Sequence, residues 1–193
     1  MARTLRPAQA RGKALPRLIF FTDPERTPDP AAVMGRLPRG AGVVYRPFGD
    51  PDAARVGRRL RMAARRRGLV FLVGADAGLA ARVAADGVHL PERVAWRARG
   101  LRRGRRGWLM TAAAHSRSAI IAARRAGADA AIVSAVFPSA SPSAGPAIGA
   151  VRFAQLVRGA GLAVYALGGV NSITARRLTR SGAAGFAAIE GLL

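Results

Sequence analysis

With 193 residues, 50% of them hydrophobic, the chain is long enough to bury one sizeable core and reads as a single domain over 17–193 behind a basic N-terminal arm, 1–16. Its 32 basic and 10 acidic residues leave a formal charge of +22, with Lys13 the sole lysine, and the lack of cysteine excludes a disulfide framework and a thiolate metal site. No apolar run approaches the roughly 20 residues that span a bilayer, and the arm lacks the apolar centre of a signal peptide, so a cytoplasmic protein with no membrane partner is expected.

From Arg17 onward two kinds of segment alternate. Leu18 to Thr22 is a short apolar run, followed by a loop rich in proline and acid up to Pro30 and a brief helix over Ala31 to Gly35. Val43 to Arg46 is a second strand, set between glycines and Pro47. Asp52 to Arg67 repeats apolar or small residues near helical spacing, with arginines on the other side, and is a surface helix. Leu69 to Val73 is continuously apolar, as in a strand buried on both faces. A small-residue helix, Ala77 to Ala84, leads into the strand Gly87 to Leu90. The arginine-rich stretch Glu92 to Gly107 has little periodicity and is read as a short helix and an exposed basic loop. Trp108 to Ala112 is a strand, Ser116 caps a helix that runs to Ala126, and Ala130 to Val133 is a sixth strand. The loop Ala135 to Gly149 is long and full of Ser, Pro and Gly, a kind more often functional than idle in α/β domains. A helix over Ala150 to Val157 follows.

The strand Leu162 to Leu167 then meets Gly168 and Gly169 and passes to Asn171, which suits the cap of a helix predicted over Asn171 to Ser181. That helix would pack Ile173, Ala175 and Leu178 inward and stop at a left-handed Gly182; Gly185 to Ile189 is the last strand. Glycines at such a turn leave N–H groups bare beside a helix N-terminus, which attracts an anion. Eight strand–helix units argue for an α/β closed (β/α)8 TIM barrel, whose reactive residues sit at the C-terminal strand ends. The sequence ends soon after the last strand, so the eighth helix is expected to be short or absent. The flank between strands 8 and 1 would then be bare apolar surface unless the arm or a second subunit covers it, which leaves a homodimer open. The arginines fall on helix backs, with no aromatic-interleaved basic motif. The charge is therefore read as coding bias rather than the mark of a nucleic-acid partner.

Ala85-Asp86-Gly87-Val88-His89-Leu90, Gly127-Ala128-Asp129 followed by Val136-Phe137-Pro138-Ser139-Ala140-Ser141, and Ala166-Leu167-Gly168-Gly169-Val170 resemble the signatures of the thiamine-phosphate synthase and TenI-type thiazole tautomerase family. The resemblance implies thiamine biosynthesis. The synthase reaction joins a pyrimidine carrying a methyl pyrophosphate to a thiazole phosphate and expels pyrophosphate, with Mg2+ on aspartates and cationic side chains at the leaving group. Carried over by position, Arg46 matches the arginine of a Q-L-R-x-K motif whose glutamine and lysine are Val44 and Phe48. The metal aspartate of the N-D motif falls on Ala75, with Gly74 for the asparagine, and the acidic stretch after strand 4 reads Glu92-Arg93-Val94. His115 remains from a G-x-S-x-H motif whose glycine and serine are Thr111 and Ala113. The lysine after the strand-6 Thr/Ser pair is Pro142, and the tautomerase histidine falls on Ala135. A strand-8 serine is Glu190, a carboxylate that would repel phosphate unless an arginine paired with it.

The resemblance thus makes Arg46 and His115 the candidate catalytic residues, and Arg46, His89, Ser139, Ser141, Gly168 and Gly169 the candidate phosphate-binding residues. The Arg46 guanidinium suits a bidentate phosphate contact or an ion pair with Asp23 or Asp76. His115 could meet a phosphate, shuttle a proton, or make one backbone hydrogen bond, and His89 reads equally as a satisfied structural histidine. Ser139 and Ser141 could line a pocket or turn the loop. Mg2+ is expected from the resemblance, but its matching ligands are missing and no metal residue is assigned. The implied partners are the phosphorylated thiazole and pyrimidine. Three functions stay open: a synthase weakened by loss of the metal aspartates, a TenI-like tautomerase, and a non-catalytic binder of phosphorylated thiamine precursors or of nucleic acid.

Overall fold

In a computed structural model that describes residues 9–10, 13–139, 141 and 145–190, the apolar runs become eight parallel strands. Most of the basic arm, Pro142 and the positions after Glu190 lie outside the described residues. The strands are β1 (Leu18–Phe21), β2 (Gly42–Tyr45), β3 (Val70–Gly74), β4 (Gly87–Leu90), β5 (Leu109–Ala114), β6 (Ala130–Val133), β7 (Ala163–Ala166) and β8 (Gly185–Ala188). They pair in chain order, and β8 closes on β1 with Phe186 beside Leu18, Ala187 beside Ile19 and Ala188 beside Phe20. The expected (β/α)8 barrel is formed.

The helices begin where side-chain oxygens can take the first free N–H groups. In α1 (Pro30–Arg36) Asp29 accepts from the Ala32 N–H at 3.0 Å, and in α3 (Ala77–Arg82) Asp76 accepts from that of Leu79 at 2.8 Å. Between them α2 (Ala53–Arg67) ends at Gly68, whose φ of +65° is left-handed. In the stretch expected to hold a short helix and an exposed basic loop, helical structure extends further: a 3₁₀ turn, Glu92–Arg97, runs into α4 (Ala98–Gly104). Buried Ala95 and Ala98 anchor it and Arg102 turns inward to Asp129, while Arg93, Arg97, Arg99 and Arg103 face water, a small-residue stripe too short to show as periodicity. Ser116 caps α5 (Arg117–Arg125), and α6 (Gly149–Val157) buries Phe153.

The helix predicted over Asn171 to Ser181 reduces to a five-residue 3₁₀ turn, Thr174–Leu178. Leu178 is buried, but Ile173 is 75% exposed and does not pack inward. Local hydroxyl bonds outcompete the α-helix: the Thr179 and Ser181 side chains donate back to the carbonyls of Arg176 and Leu178 at 2.6 and 2.7 Å, three residues behind. No helix follows β8 among the described residues. The β8–β1 flank is nevertheless not bare, since Phe20 and Ala188 are buried and Leu18 and Phe186 half-buried.

Side chains alternate across each strand. Ile19, Phe21, Val44, Leu72, Ile132 and Tyr165 fill the barrel, while Phe20, Val43 and Phe71 face α1 to α3 and Val133 and Val164 face α5 and α6. Leu15 closes the interior from below, and the Tyr165 hydroxyl donates to the Pro16 carbonyl at 2.5 Å, so these two arm positions belong to the barrel floor. The motif aspartates also lie at this floor. Asp86 accepts the Phe71 N–H of β3 at 2.8 Å and pairs with Arg61 at 2.7 Å; Asp129 accepts the Met110 N–H of β5 at 2.8 Å and pairs with Arg102 at 2.6 Å. Both tie neighbouring strands at the pole opposite the mouth.

Candidate active site

The strand ends at the mouth are shaped first by the turn after β7. Gly168 and Gly169 have φ of +90° and +62°, conformations that L side chains rarely adopt. Space also demands glycine there. A Cβ on Gly168 would come within 2.9 Å of Ala135, and one on Gly169 would run into the Pro138 carbonyl oxygen and Phe137. The loop after β6 zips onto this turn, with the Val136 N–H donating to the Leu167 carbonyl at 2.9 Å and that of Phe137 to the Gly168 carbonyl at 3.0 Å. Asn171 closes the turn by accepting the N–H groups of Ile173 and Thr174, each at 2.9 Å. Among the described residues, the N–H groups of Gly168, Gly169 and Val170 meet no protein acceptor. Their pull on an anion is that of bare amides, because the short 3₁₀ turn lends little of the helix dipole that the sequence suggested.

A cavity of about 300 Å³ opens at this turn, and Arg26, Arg46, Ser134, Ser139, Ser141 and Glu190 also line it. The paired glycines and the arginine ending β2 therefore face one space. Arg46 is fixed by the loop after β1: its Nε donates to the Thr22 carbonyl at 2.8 Å and its Nη2 to Asp23 at 3.1 Å. Of the two carboxylates proposed for it from the sequence, Asp23 is the partner. The guanidinium also lies over the Phe48 ring, 4.8 Å from its centre. Burial holds the Arg46 pKa below its ordinary value, with Asp23 opposing and the neighbouring Arg26 charge adding to the depression.

The histidines sit elsewhere. His89 lies inside the barrel, its Nδ1 2.9 Å from the Thr111 hydroxyl and its ring edge-on to Phe21. Burial first, and then the Arg46 charge, lower its pKa to about 4, which favours the neutral ring, and it is not among the residues that line the cavity. His115 is outside the cavity as well, 58% exposed, with Nδ1 2.7 Å from Glu92. Its Nε2 is 3.3 Å from the Ser134 hydroxyl, and Ser134 does line the cavity. Ser139 accepts the Ser141 N–H at 3.3 Å, so these serines turn the loop as well as line the wall.

Two lining residues escaped the sequence reading. Ser134 carries no motif, and Arg26 sits in the proline-rich loop after β1. One signal pointed to Arg26: Glu190 needed an arginine, and the Arg26 Nη2 meets it at 2.7 Å.

The Mg2+ implied by the resemblance does not fit the residues present. Ala75 stands where an aspartate would bind, and Asp76 beside it spends Oδ1 on the Leu79 N–H, with Arg82 4.0 Å from Oδ2. Glu92 holds the backbone and ring of His115, Asp23 holds Arg46, and Glu190 holds Arg26. Among the described residues no group of three or more His, Asp or Glu side chains could hold a metal ion.

The chain is 36% identical over 143 residues to the thiamine-phosphate synthase of Chromobacterium violaceum, covering 70% of this chain and 69% of that one. It is 25% identical over 185 residues to the thiamine-phosphate synthase of Pyrococcus furiosus, covering 92% and 86%. The solved thiamine phosphate pyrophosphorylase of Pyrococcus furiosus superposes with a TM-score of 0.74 at 26% identity, covering 89% of this chain and 84% of that one. No helix among the described residues is long and apolar enough to cross a membrane. Residues 19–192 match the family model described as thiamine monophosphate synthase, and the chain belongs to that family.

Proposed function

We propose that the protein forms thiamine phosphate in thiamine biosynthesis, by transferring a pyrimidine methyl group from pyrophosphate to the nitrogen of a thiazole phosphate. The gathering of bare amides, serines and arginines in one cavity at the barrel mouth supports this reading. The thiazole phosphate takes the Gly168–Gly169 amides and the Ser139 wall; the pyrimidine pyrophosphate takes Arg46. As the C–N bond forms and the C–O bond breaks, pyrophosphate leaves with the electron pair, and a guanidinium already held in place by Thr22 and Asp23 meets the growing charge without reorganising. Incubation with both substrates, with thiamine phosphate followed by chromatography, tests it. Product that falls at least about tenfold on Arg46→Ala is expected. No product when enzyme matches substrate in concentration refutes it.

A second reading, proton transfer on a thiazole as in a tautomerase, has one observation in its favour: the Ser134–His115–Glu92 string that links the cavity to an imidazole. Exchange of a substrate proton with solvent, lost in His115→Ala, is its signature. Unchanged exchange removes His115 as the base.

A further inference from the structure

The mouth combines a lost metal site with two arginines in one cavity, and one of them is underused. The Arg26 Nη2 donates to Glu190, but its Nη1 is buried without any partner, a costly state for a charged donor. Arg46 spends Nε and Nη2 on Thr22 and Asp23, and among the described residues its Nη1 has no protein acceptor. The two guanidiniums feel each other's charge, so each would gain from an anion placed between them. One residue touches both: Asp23 pairs with Arg46 through Oδ2 and accepts the Arg26 backbone N–H at Oδ1, 3.2 Å away. Opposing them is Glu190, whose side chain is 51% exposed and can swing into water.

We propose that Arg26 and Arg46 form a two-guanidinium seat for a diphosphate that needs no divalent cation, with Glu190 as the internal anion that the ligand displaces. The proposal takes the cavity from the synthase reading and adds Arg26 as a binding residue. The chemistry is that of guanidinium forks, whose paired N–H groups match phosphate oxygens and whose charge replaces what a cation would supply. The departing pyrophosphate would meet donors from both guanidiniums, and Glu190 would return to Arg26 when the product leaves.

Calorimetric titration of the whole protein with sodium pyrophosphate, in EDTA and again with excess Mg2+, tests the seat. Binding in EDTA with no gain from Mg2+ is expected, as is weakening of about tenfold or more in Arg26→Ala and a smaller loss in Arg26→Lys, which keeps the charge but not the fork. Glu190→Gln removes the competitor and should tighten binding severalfold. Binding that requires Mg2+, an unchanged affinity in a folded Arg26→Ala, or weaker binding in Glu190→Gln overturns the proposal. If Arg26→Ala fails to fold by circular dichroism, the opposite sign expected of Glu190→Gln decides. Pyrophosphate binding in EDTA without any thiamine phosphate synthesis would keep the seat and sink the synthase reading. Synthesis coupled to a Mg2+ requirement would do the reverse.

Discussion

Two arginine–carboxylate pairs, one at each pole of the barrel, have nearly the same length and opposite roles. At the floor Arg102 meets Asp129 at 2.6 Å, with side chains 16% and 4% exposed; at the mouth Arg26 meets Glu190 at 2.7 Å, with 20% and 51%. Distance does not separate them, and solvent access does. A carboxylate sealed from water and bonded to the next strand's N–H cannot release its partner without a large desolvation cost, so the floor pair is a fixed tie. A carboxylate half in water can let go, so the mouth pair is exchangeable.

The sharpest way to break this contrast is Asp129→Ala, which leaves Arg102 buried and the Met110 N–H unsatisfied. It should cost about 3–5 kcal/mol in urea unfolding, and a change under 1 kcal/mol would show that the floor pair is no more fixed than the mouth pair. His89 gives the next effect. Its folded pKa of about 4 lies below the ordinary 6.5, so the unfolded chain binds the proton first. The stability that depends on a neutral His89 is complete above pH 6.5 and is lost as pH falls toward 4, at no more than about 1.4 kcal/mol per pH unit, a slope that His89→Gln should flatten. Gly169→Ala tests whether the mouth contains a fixed part of its own. The added methyl meets the Pro138 carbonyl in a left-handed backbone, so about 2 kcal/mol of stability should go together with pyrophosphate affinity. Smallest is Glu190→Gln, expected to shift unfolding by less than about 1 kcal/mol while it changes ligand affinity.

The same contrast explains what could be read from the chain. Strands such as Leu69 to Val73 announce themselves because a run buried on both faces must be apolar throughout, and Gly168-Gly169 because a positive φ admits little else. The motif aspartates Asp86 and Asp129 were equally legible, yet what they mark is the strand ties of the floor and not the chemistry. At the mouth, function lies in side chains brought together from distant loops. Nothing near Arg26 in sequence specifies Glu190, and the length of the turn after Asn171 was decided by the Thr179 and Ser181 hydroxyls rather than by the Ile173, Ala175 and Leu178 spacing. His89 reads from its motif either as a phosphate ligand or as a satisfied structural histidine, and its neighbours Thr111 and Phe21, which give it a structural setting, come from other strands and cannot be read beside it.

Closure of β8 onto β1 has a further consequence, because Arg26 and Glu190 stand 164 residues apart and face each other across that seam. The proposed diphosphate, lodged there, would work as a clasp on the last joint of the fold. By mass action its occupancy opposes opening of the terminal strand, raising the melting temperature with ligand concentration and slowing amide exchange first in β8 and β1.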